Sequence, residues 1–366
     1  MLKFIKKEPV LCVATLAAII SAFFVRPGKE YLEYIDFPVI ALLFCLMFVV
    51  SGMIKANLFN VMSSKMLKTA SDSRKIAVVL INVTYFSAMF ITNDVALITL
   101  VPFTTGIFSG RHNKNLIPIV VLETVAANLG SMLMPFGNPQ NLYLYSYYEM
   151  SAGKFILTVL PLGIISLILI NTAALLMVKK ENLSSVESKD EVINDKLRFS
   201  VYVVLFIICI LSVFKLVNTY ICLIVVIVAG LITDVKIFKK VDYNLLLTFC
   251  AFFIFVGNLG RIETIEMMVA DMLRNREFII GILASQVISN VPAAIMLSGF
   301  TDNAQALLLG VNVGGLGTLV ASLASLISYK QYSLAEKSDM KKYLIVFTAV
   351  NIIFLIILCP AYFLIY

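Results

Sequence analysis

The chain has 366 residues, of which 60% are hydrophobic and only 14% are charged, and its mean hydropathy is +0.97. A soluble domain of this size would need far more charge to cover its surface, so the composition excludes one. The net charge of +7 comes from basic residues scattered over many loops, which is not the clustered pattern of a nucleic-acid-binding protein.

Apolar runs long enough to cross about 30 Å of hydrocarbon recur along the whole chain. We predict an all-α polytopic membrane protein with about nine spanning helices, at residues 10–25, 37–54, 115–148, 154–178, 199–214, 219–233, 243–257, 305–329 and 343–365. Of the 29 Lys and Arg residues, twenty-two fall in loops on one predicted side and seven on the other. An excess of Lys and Arg marks the cytoplasmic side. We therefore expect the protein in the inner or plasma membrane, with the N-terminus in the cytoplasm and the C-terminus outside.

The chain divides into two halves that we expect to form one membrane domain. The first half covers residues 1–178 and the second covers residues 199–366. The segment between them, residues 179–198, reads KKENLSSVESKDEVINDKLR. It is polar and contains neither Gly nor Pro, which indicates a cytoplasmic linker.

A short segment occurs once in each half. Residues 91–103 read ITNDVALITLVPF and residues 288–300 read ISNVPAAIMLSGF, with six identical positions. A second pair follows, in which 127–145 aligns with 311–329. Apolar segments interrupted by Gly, Asn and Pro at matching positions of two halves point to the binding site of a transporter. The predicted topology gives the two copies opposite orientations, as in an inverted repeat.

The first segment of each pair is predicted to form a re-entrant hairpin, over residues 76–108 and 278–300. Folding 76–108 at Asn93 leaves two arms of about 16 residues, which are shorter than the ~20 residues of a full crossing. Thr92-Asn93-Asp94 and Ser289-Asn290 are typical N-cap residues for the second arm of each hairpin. Each tip would then aim a helix N-terminus, with its partial positive charge, at the centre of the protein.

The second segment of each pair contains a predicted helix break. Gly137-Asn138-Pro139-Gln140-Asn141 cannot continue a helix, because Pro139 lacks an N–H group and Gly137 relaxes the backbone. The second half has a softer break, with Gly314, Gly315, Gly317 and Thr318 followed by Ser322 and Ser325. The predicted substrate- or ion-binding residues, all at the tips or next to the breaks, are Thr92, Asn93, Asp94, Asn128, Gly137, Asn138, Pro139, Asn141, Ser289, Asn290, Asn312, Gly315, Thr318 and Ser322.

Two acidic residues, Asp94 and Glu123, lie inside apolar segments. A carboxylate at mid-membrane depth costs about 2.5–3.5 kcal/mol on insertion scales, which makes both residues candidates for ion coupling. The alternatives are a plain helix cap for Asp94 and a shielded packing residue for Glu123. If Na⁺ binds, its predicted ligands are Asn93, Asp94, Asn138 and Asn290. No other cofactor is expected, and the coupling ion is H⁺ or Na⁺.

These motifs resemble those of the ion transporter superfamily, which includes arsenite permeases, NhaD-type sodium/proton antiporters, the P protein, dicarboxylate carriers and citrate transporter-like domains. The resemblance is carried by ITND, ANLG…GNPQN, ISNVP and NVGGLG. It implies an inverted-repeat fold with two opposed hairpins, a scaffold and a transport domain that moves as an elevator, and a homodimer. Dicarboxylate carriers have a Ser-Asn-Thr triplet at each tip. This chain has Asp94 and Val291 at the third position, which makes its first tip more similar to the arsenite permeases.

Sequence alone therefore predicts a secondary active transporter of a small anion, either a carboxylate or an oxyanion such as arsenite. A sodium/proton antiporter is the alternative, and an ion channel is a weaker one. The chain lacks metal-protease, nucleophile-elbow and nucleotide-binding motifs, so it is not predicted to be an enzyme. Its expected partners are the small anion and the lipid bilayer, without nucleic acid. A separate ATPase subunit, the substrate, the coupling ion, the direction and the stoichiometry stay open.

The predicted topology can be tested by labelling single cysteines with a membrane-impermeant maleimide. In a Cys-free background, cysteines that replace Lys65, His112, Lys189 or Lys337 should react only from the cytoplasmic side. Cysteines that replace Lys29, Arg274 or Asp302 should react only from outside. Labelling of positions 112 and 302 from the same side would contradict the inverted repeat, because both hairpins would then share one orientation.

Overall fold

A computed structural model describes residues 8–58, 61, 72–108, 113–181, 192–336 and 338–366. Residues 182–191 of the predicted linker and the labelling positions 65, 112, 189 and 337 lie outside the described residues. Within the described ranges the chain is helical and has no β-strand, which confirms the predicted all-α class.

The first half consists of eight described helices. They are α1 (Pro9–Phe24), α2 (Glu30–Glu33), α3 (Phe37–Lys55), α4 (Ser73–Ile91), α5 (Asn93–Phe108), α6 (Asn113–Ser131), α7 (Pro139–Tyr147) and α8 (Ala152–Met177). The chain turns back once between α4 and α5, and it breaks once between α6 and α7.

The second half repeats this order after two additional helices. Its described helices are α9 (Lys196–Val213), α10 (Thr219–Thr233), α11 (Tyr243–Leu259), α12 (Glu263–Leu273), α13 (Glu277–Ile288), α14 (Asn290–Ser298), α15 (Ala304–Val313), α16 (Leu323–Ser333) and α17 (Met340–Ile365), with a 3₁₀ helix at Val235–Lys240. Here α13 and α14 form the hairpin, and the break lies between α15 and α16. Asp36 and Asp242 cap α3 and α11 by accepting hydrogen bonds from the backbone N–H three residues on, so the halves also match at their entry helices.

Fewer helices than predicted are long enough to span a membrane unaided. Five described helices are long and apolar enough to cross a membrane: α3, α4, α8, α9 and α17. The number is six if α11 and α12, which meet at a bend of 104°, count as one span. The predicted spans 115–148 and 305–329 are each divided by a break, as Gly137 and Pro139 indicate for the first and the glycines at 314, 315 and 317 for the second. The count of nine is therefore not established by helix length.

The first hairpin is longer than the sequence indicates. Its arms α4 and α5 have 19 and 16 residues, so the predicted length of about 16 for each arm is wrong for α4. The added turn begins at Ser73 because the Asp72 side chain accepts hydrogen bonds from the N–H groups of Arg74 and Lys75, at 3.1 and 3.0 Å. The arms of the second hairpin, α13 and α14, have 12 and 9 residues.

The two helices that precede the breaks form the core of the protein. From Asn115 to Met132 every residue of α6 and the adjoining turn is buried except Pro118, and residues 306–317 of α15 and the following loop are buried as well. A helix that is buried on all sides is expected to be mostly apolar around its circumference, and the buried polar residues of α6 and α15 need partners within the protein.

Matching glycines allow each of these core helices to approach the first arm of its hairpin. A Cβ atom at Gly130 would lie 2.2 Å from the carbonyl oxygen of Tyr85 on α4. At Gly314 it would lie 2.9 Å from the Cα of Ile282 on α13. Tyr85 lies seven residues before the hairpin turn at Thr92, and Ile282 lies seven residues before the turn at Ser289. The same contact is therefore repeated in both halves.

We expect Gly130→Ala to destabilise the protein by roughly 1–3 kcal/mol, because the new methyl group would overlap backbone atoms that cannot rotate away. The matched control is Gly106→Ala on α5, where an added Cβ meets nothing within 4 Å. That change should be neutral or stabilise by about 0.5–1 kcal/mol, since alanine favours the helix. Unfolding of the purified protein in detergent measures both. Equal midpoints for the two variants would contradict the close contact.

Candidate functional site

Both hairpins turn at a single residue in the same unusual backbone conformation. Thr92, between α4 and α5, has φ 72° and ψ 152°. Ser289, between α13 and α14, has φ 75° and ψ 153°. Residues other than glycine rarely adopt this conformation, which costs of the order of 1–3 kcal/mol, and such strain clusters at functional sites. The sequence predicts the position of the turns but contains no signal for this strain.

The two tips differ in the hydrogen-bond donors that they present. At the first tip, the Asn93 side chain accepts a hydrogen bond from the N–H of Asp94, at 3.0 Å. At the second tip, the N–H of Asn290 donates to the carbonyl oxygen of Ala321, at 2.9 Å, and Pro292 has no N–H group. Ser289 stands at the N-cap position of α14, as predicted, but its side chain makes no capping hydrogen bond. At each tip one backbone N–H group is thus already engaged, by the Asn93 side chain at the first tip and by Ala321 at the second.

Each break is capped by a side chain that also reaches the opposite half of the chain. Asn138 caps α7 by accepting from the N–H of Asn141, and its Nδ2 donates to Oδ1 of Asn312, at 3.0 Å. Ser322 caps α16 by accepting from the N–H of Ala324, and its Oγ donates to Oδ1 of Asn128, also at 3.0 Å. Each capping side chain thus stabilises its own helix and binds the core helix of the other half.

A second pair of bonds follows the same rule. Nδ2 of Asn312 donates to Oδ1 of Asn141 at 2.7 Å, and Nδ2 of Asn128 donates to Oγ of Ser325 at 3.5 Å. The members of each matching pair (128 and 312, 138 and 322, 141 and 325) are 184 residues apart. We call these six residues the crossed cluster; its members are Asn128, Asn138, Asn141, Asn312, Ser322 and Ser325. All six are buried.

The tips join the crossed cluster through Asn128 and Gly315. Nδ2 of Asn93 donates to Oδ1 of Asn128 at 3.2 Å, and Nδ2 of Asn128 donates to the carbonyl oxygen of Gly315 at 3.3 Å. A Cβ atom at Gly315 would lie 2.9 Å from Nδ2 of Asn290, so the side chain of the second tip lies against this glycine. The structure therefore places residues from both tips and both breaks in one buried polar region.

Two of the predicted site residues have other surroundings. Thr318 is exposed, and its N–H and hydroxyl group bind Oε1 and the carbonyl oxygen of Gln286, at 2.8 and 3.2 Å. Gly137 lies against the backbone of Ser131, where a Cβ atom would be 2.1 Å from the carbonyl oxygen. Ser325, which the predicted site omits, could have been found from its alignment with Asn141.

A cavity of about 260 Å³ opens next to the first tip. It lies between α3, the tip, the first break and the start of α11. Its polar and charged lining residues are Ser51, Thr92, Asp94, Asn138, Lys240 and Asp242. Lys240 is the one basic residue in the lining, and no residue of the second tip lines the cavity. Lys240 and Asp242 carry no motif and were not predicted, because only folding brings the start of α11 to the tip.

Glu123 has a different environment from Asp94. It is fully buried on α6 and does not line the cavity. Its Oε1 accepts a hydrogen bond from the Thr104 hydroxyl group of α5, at 2.7 Å, whereas Oε2 has no hydrogen-bond partner among the described residues. Of the two predicted coupling candidates, Asp94 alone has access to the cavity.

Comparisons with known proteins agree with this architecture. A transporter of Methanocaldococcus jannaschii, named as uncharacterized, is 34% identical over 309 residues, which cover 82% of each chain. The inner membrane protein YbiR of Escherichia coli is 29% identical over 330 residues, covering 86% of this chain and 85% of its own. The silicon efflux transporter LSI3 of rice is 30% identical over 146 residues, covering 40% of this chain and 30% of its own.

A solved structure has a similar fold. The YdaH transporter of Alcanivorax borkumensis matches 90% of this chain and 85% of its own with a TM-score of 0.55, at 11% sequence identity. The family model described as "Citrate transporter" matches residues 4–308. The family model and the Methanocaldococcus jannaschii relative are described as transporters and not as enzymes, as the sequence predicts. The chain belongs to the citrate transporter family of multi-pass membrane transporters.

Proposed function

We propose that this protein is a secondary active transporter that moves a small anion, either a carboxylate or an oxyanion such as arsenite, together with H⁺ or Na⁺. The observation that carries the proposal is the cavity that ends at Asp94, between a strained hairpin tip and a capped helix break. Interrupted helices at the interface of two repeats are where transporters bind their substrates.

The charges around the cavity favour a small solute. Its lining contains one basic residue, Lys240, and two acidic residues, Asp94 and Asp242. A citrate-like anion with several charges would need more positive partners than this. A weak acid that is neutral or carries one charge could be held by the donors of the first tip and by Lys240. The silicon efflux activity in the name of the rice relative agrees with a solute of this kind.

Asp94 is the proposed coupling residue. Of the four predicted sodium ligands, only Asp94 and Asn138 line the cavity, and the side-chain oxygen of Asn138 already accepts a hydrogen bond from the backbone. The carboxylate of Asp94 is therefore the strongest of the predicted ligands for Na⁺. Asn290, the fourth predicted sodium ligand, does not line the cavity. The same carboxylate could carry a proton. Because Glu123 is fully buried and does not line the cavity, we propose that it acts in the packing of the helices.

The cavity also supports an elevator mechanism. It opens beside Lys240 and Asp242, close to the end of the molecule that we predict to be cytoplasmic. The conformation is therefore proposed to be inward-facing. The crossed cluster would move as one body with both tips, since Asn128 is bonded to Asn93 and the N–H of Asn290 is bonded to Ala321, next to Ser322. Motion of this body past α3 and α11 would close the cavity and expose the site on the opposite side.

A sodium/proton antiporter is the second candidate. It is favoured by the two carboxylates of the cavity, which together outnumber its single basic residue. The two functions are distinguished in proteoliposomes without organic or oxyanion substrate. Exchange of Na⁺ for H⁺ under these conditions supports the antiporter, and its absence supports the anion transporter.

Asp94→Asn is expected to abolish accumulation driven by the ion gradient, because an amide neither carries the proton nor supplies the charge for Na⁺. Substrate–substrate exchange in proteoliposomes should survive, and so should the rise in melting temperature with a bound carboxylate or oxyanion. If Na⁺ is the coupling ion, stabilisation by Na⁺ should be lost first.

The control for this experiment is Asp302→Asn, which removes a similar charge at an exposed position outside the cavity. It should retain gradient-driven transport. An Asp94→Asn protein that accumulates substrate with unchanged pH and sodium dependence would overturn the assignment and direct attention to Glu123.

We also expect Asn93 and Asn290 to act together. Asn93→Ala and Asn290→Ala should each reduce transport at least about tenfold, because each contacts the region around Asn128 and Gly315. Their effects in a double-mutant cycle should be non-additive, as for residues that share a ligand or a network. Transport rates and melting temperatures of the purified variants measure this.

Asn244→Ala is the matched control, since Asn244 lies on α11 and does not line the cavity. It should transport at nearly the normal rate. Strictly additive losses in the double variant, or unfolding of either single variant, would show that the two tip asparagines act as independent structural caps.

A further inference from the structure

A groove of about 470 Å³ lies at the base of the first hairpin and shares no lining residue with the cavity. It runs between the first turns of α4 and the last turns of α8. One end is charged and is lined by Asp72, Arg74, Lys75 and Lys180. The other end is aliphatic and is lined by Val78, Val79 and Leu175.

The charged end is held in place by contacts between α4 and the end of α8. The hydroxyl group of Ser73 donates to the carbonyl oxygen of Lys179 at 2.7 Å, and Nε of Arg74 donates to the carbonyl oxygen of Val178 at 2.9 Å. A guanidinium group has five N–H donors, so this contact fixes Arg74 while using only one of them. The basic end of the groove is therefore positioned in advance of any ligand.

Among the described residues of the lining, three are basic and one, Asp72, is acidic. The carboxylate of Asp72 is engaged by the N–H groups of Lys75 and Arg74. The hydrogen bond from the N–H of Lys75 is the main cause that keeps the pKa of Asp72 below its ordinary value, and the charges of Lys180 and Lys75 add to it. Asp72 therefore stays ionised as the cap of α4, and the groove still offers net positive charge to an anion.

The aliphatic end continues into a surface that faces lipid. Leu175 is 52% exposed and Leu176 is 80% exposed, near the end of a helix that is long and apolar enough to span a membrane. A soluble anion would use only the basic end. A ligand that uses both ends has a negative head group and a hydrocarbon tail.

We propose that this groove binds an anionic phospholipid, with the phosphate between Arg74 and Lys180 and an acyl chain along Val78, Val79 and Leu175. Basic pockets between membrane helices are known to hold such head groups. The site is separate from the transport cavity, so the proposal does not depend on the transported substrate or the coupling ion. It lies where the first hairpin begins, and bound lipid would stabilise the contact between α4 and α8.

The test compares Lys180→Gln with Lys179→Gln in otherwise intact protein. Both lysines are exposed and adjacent, and the changes remove the same charge, but only Lys180 lines the groove. Binding of phosphatidylglycerol and phosphatidylcholine to the detergent-purified protein is measured by native mass spectrometry. Lys180→Gln should weaken phosphatidylglycerol binding about fivefold, the amount expected for one basic residue near an anionic head group. Lys179→Gln should leave it nearly unchanged.

Three results would overturn the proposal. Equal losses in the two variants would indicate non-specific attraction to surface charge. Equal binding of phosphatidylcholine would show that head-group charge is irrelevant. Competition by inorganic phosphate as strong as that by phosphatidylglycerol would assign the groove to a soluble anion. Arg74→Gln provides a second variant in the groove, and it should weaken phosphatidylglycerol binding at least as much as Lys180→Gln does.

Discussion

The hydrogen bonds that cross between the two breaks are the constraint on which the rest of the site depends. Asn138 and Ser322 each satisfy the start of a broken helix and, with the same side chain, hold the core helix of the other half. A broken helix in a membrane protein exposes backbone groups that water cannot reach. Here the side chains that cap each broken helix also bond to the other half. The same residues therefore support the irregular backbone and hold the two halves together.

Much of this arrangement can be predicted from the sequence, because it follows from local chemistry and from duplication. The breaks near Pro139 and Gly315 are visible in the residues themselves. The hairpin turns are visible as well, and the structure places them at Thr92 and Ser289, one residue before each asparagine. That Asn141 and Ser325 occupy matching positions follows from the alignment of the two halves. No motif marks Lys240 or Asp242, because these residues reach the cavity only through the packing of helices that are distant in the sequence. The sequence also gives no indication of the positive φ at Thr92, because threonine does not normally mark such a conformation.

The symmetry of the scaffold does not extend to the chemistry of the tips. The first tip presents Asp94 to an open cavity, whereas the second has Val291 in that place and uses the N–H of Asn290 to bind Ala321. Glu123 adds to the difference, because its buried carboxyl group on α6 has no acidic counterpart at Leu307 on α15. The matching backbone thus carries one tip that lines the cavity and one that does not.

The crossed bonds also have the form of an isologous interface, in which residue i of one copy contacts residue j of the other and j contacts i. In a dimer of identical subunits, any substitution at the tip would have appeared in both copies at once. Joining the copies in one chain removes this restriction. The two tips can then differ, with Asp94 in one half and Val291 in the other, while the reciprocal contacts between the halves are kept.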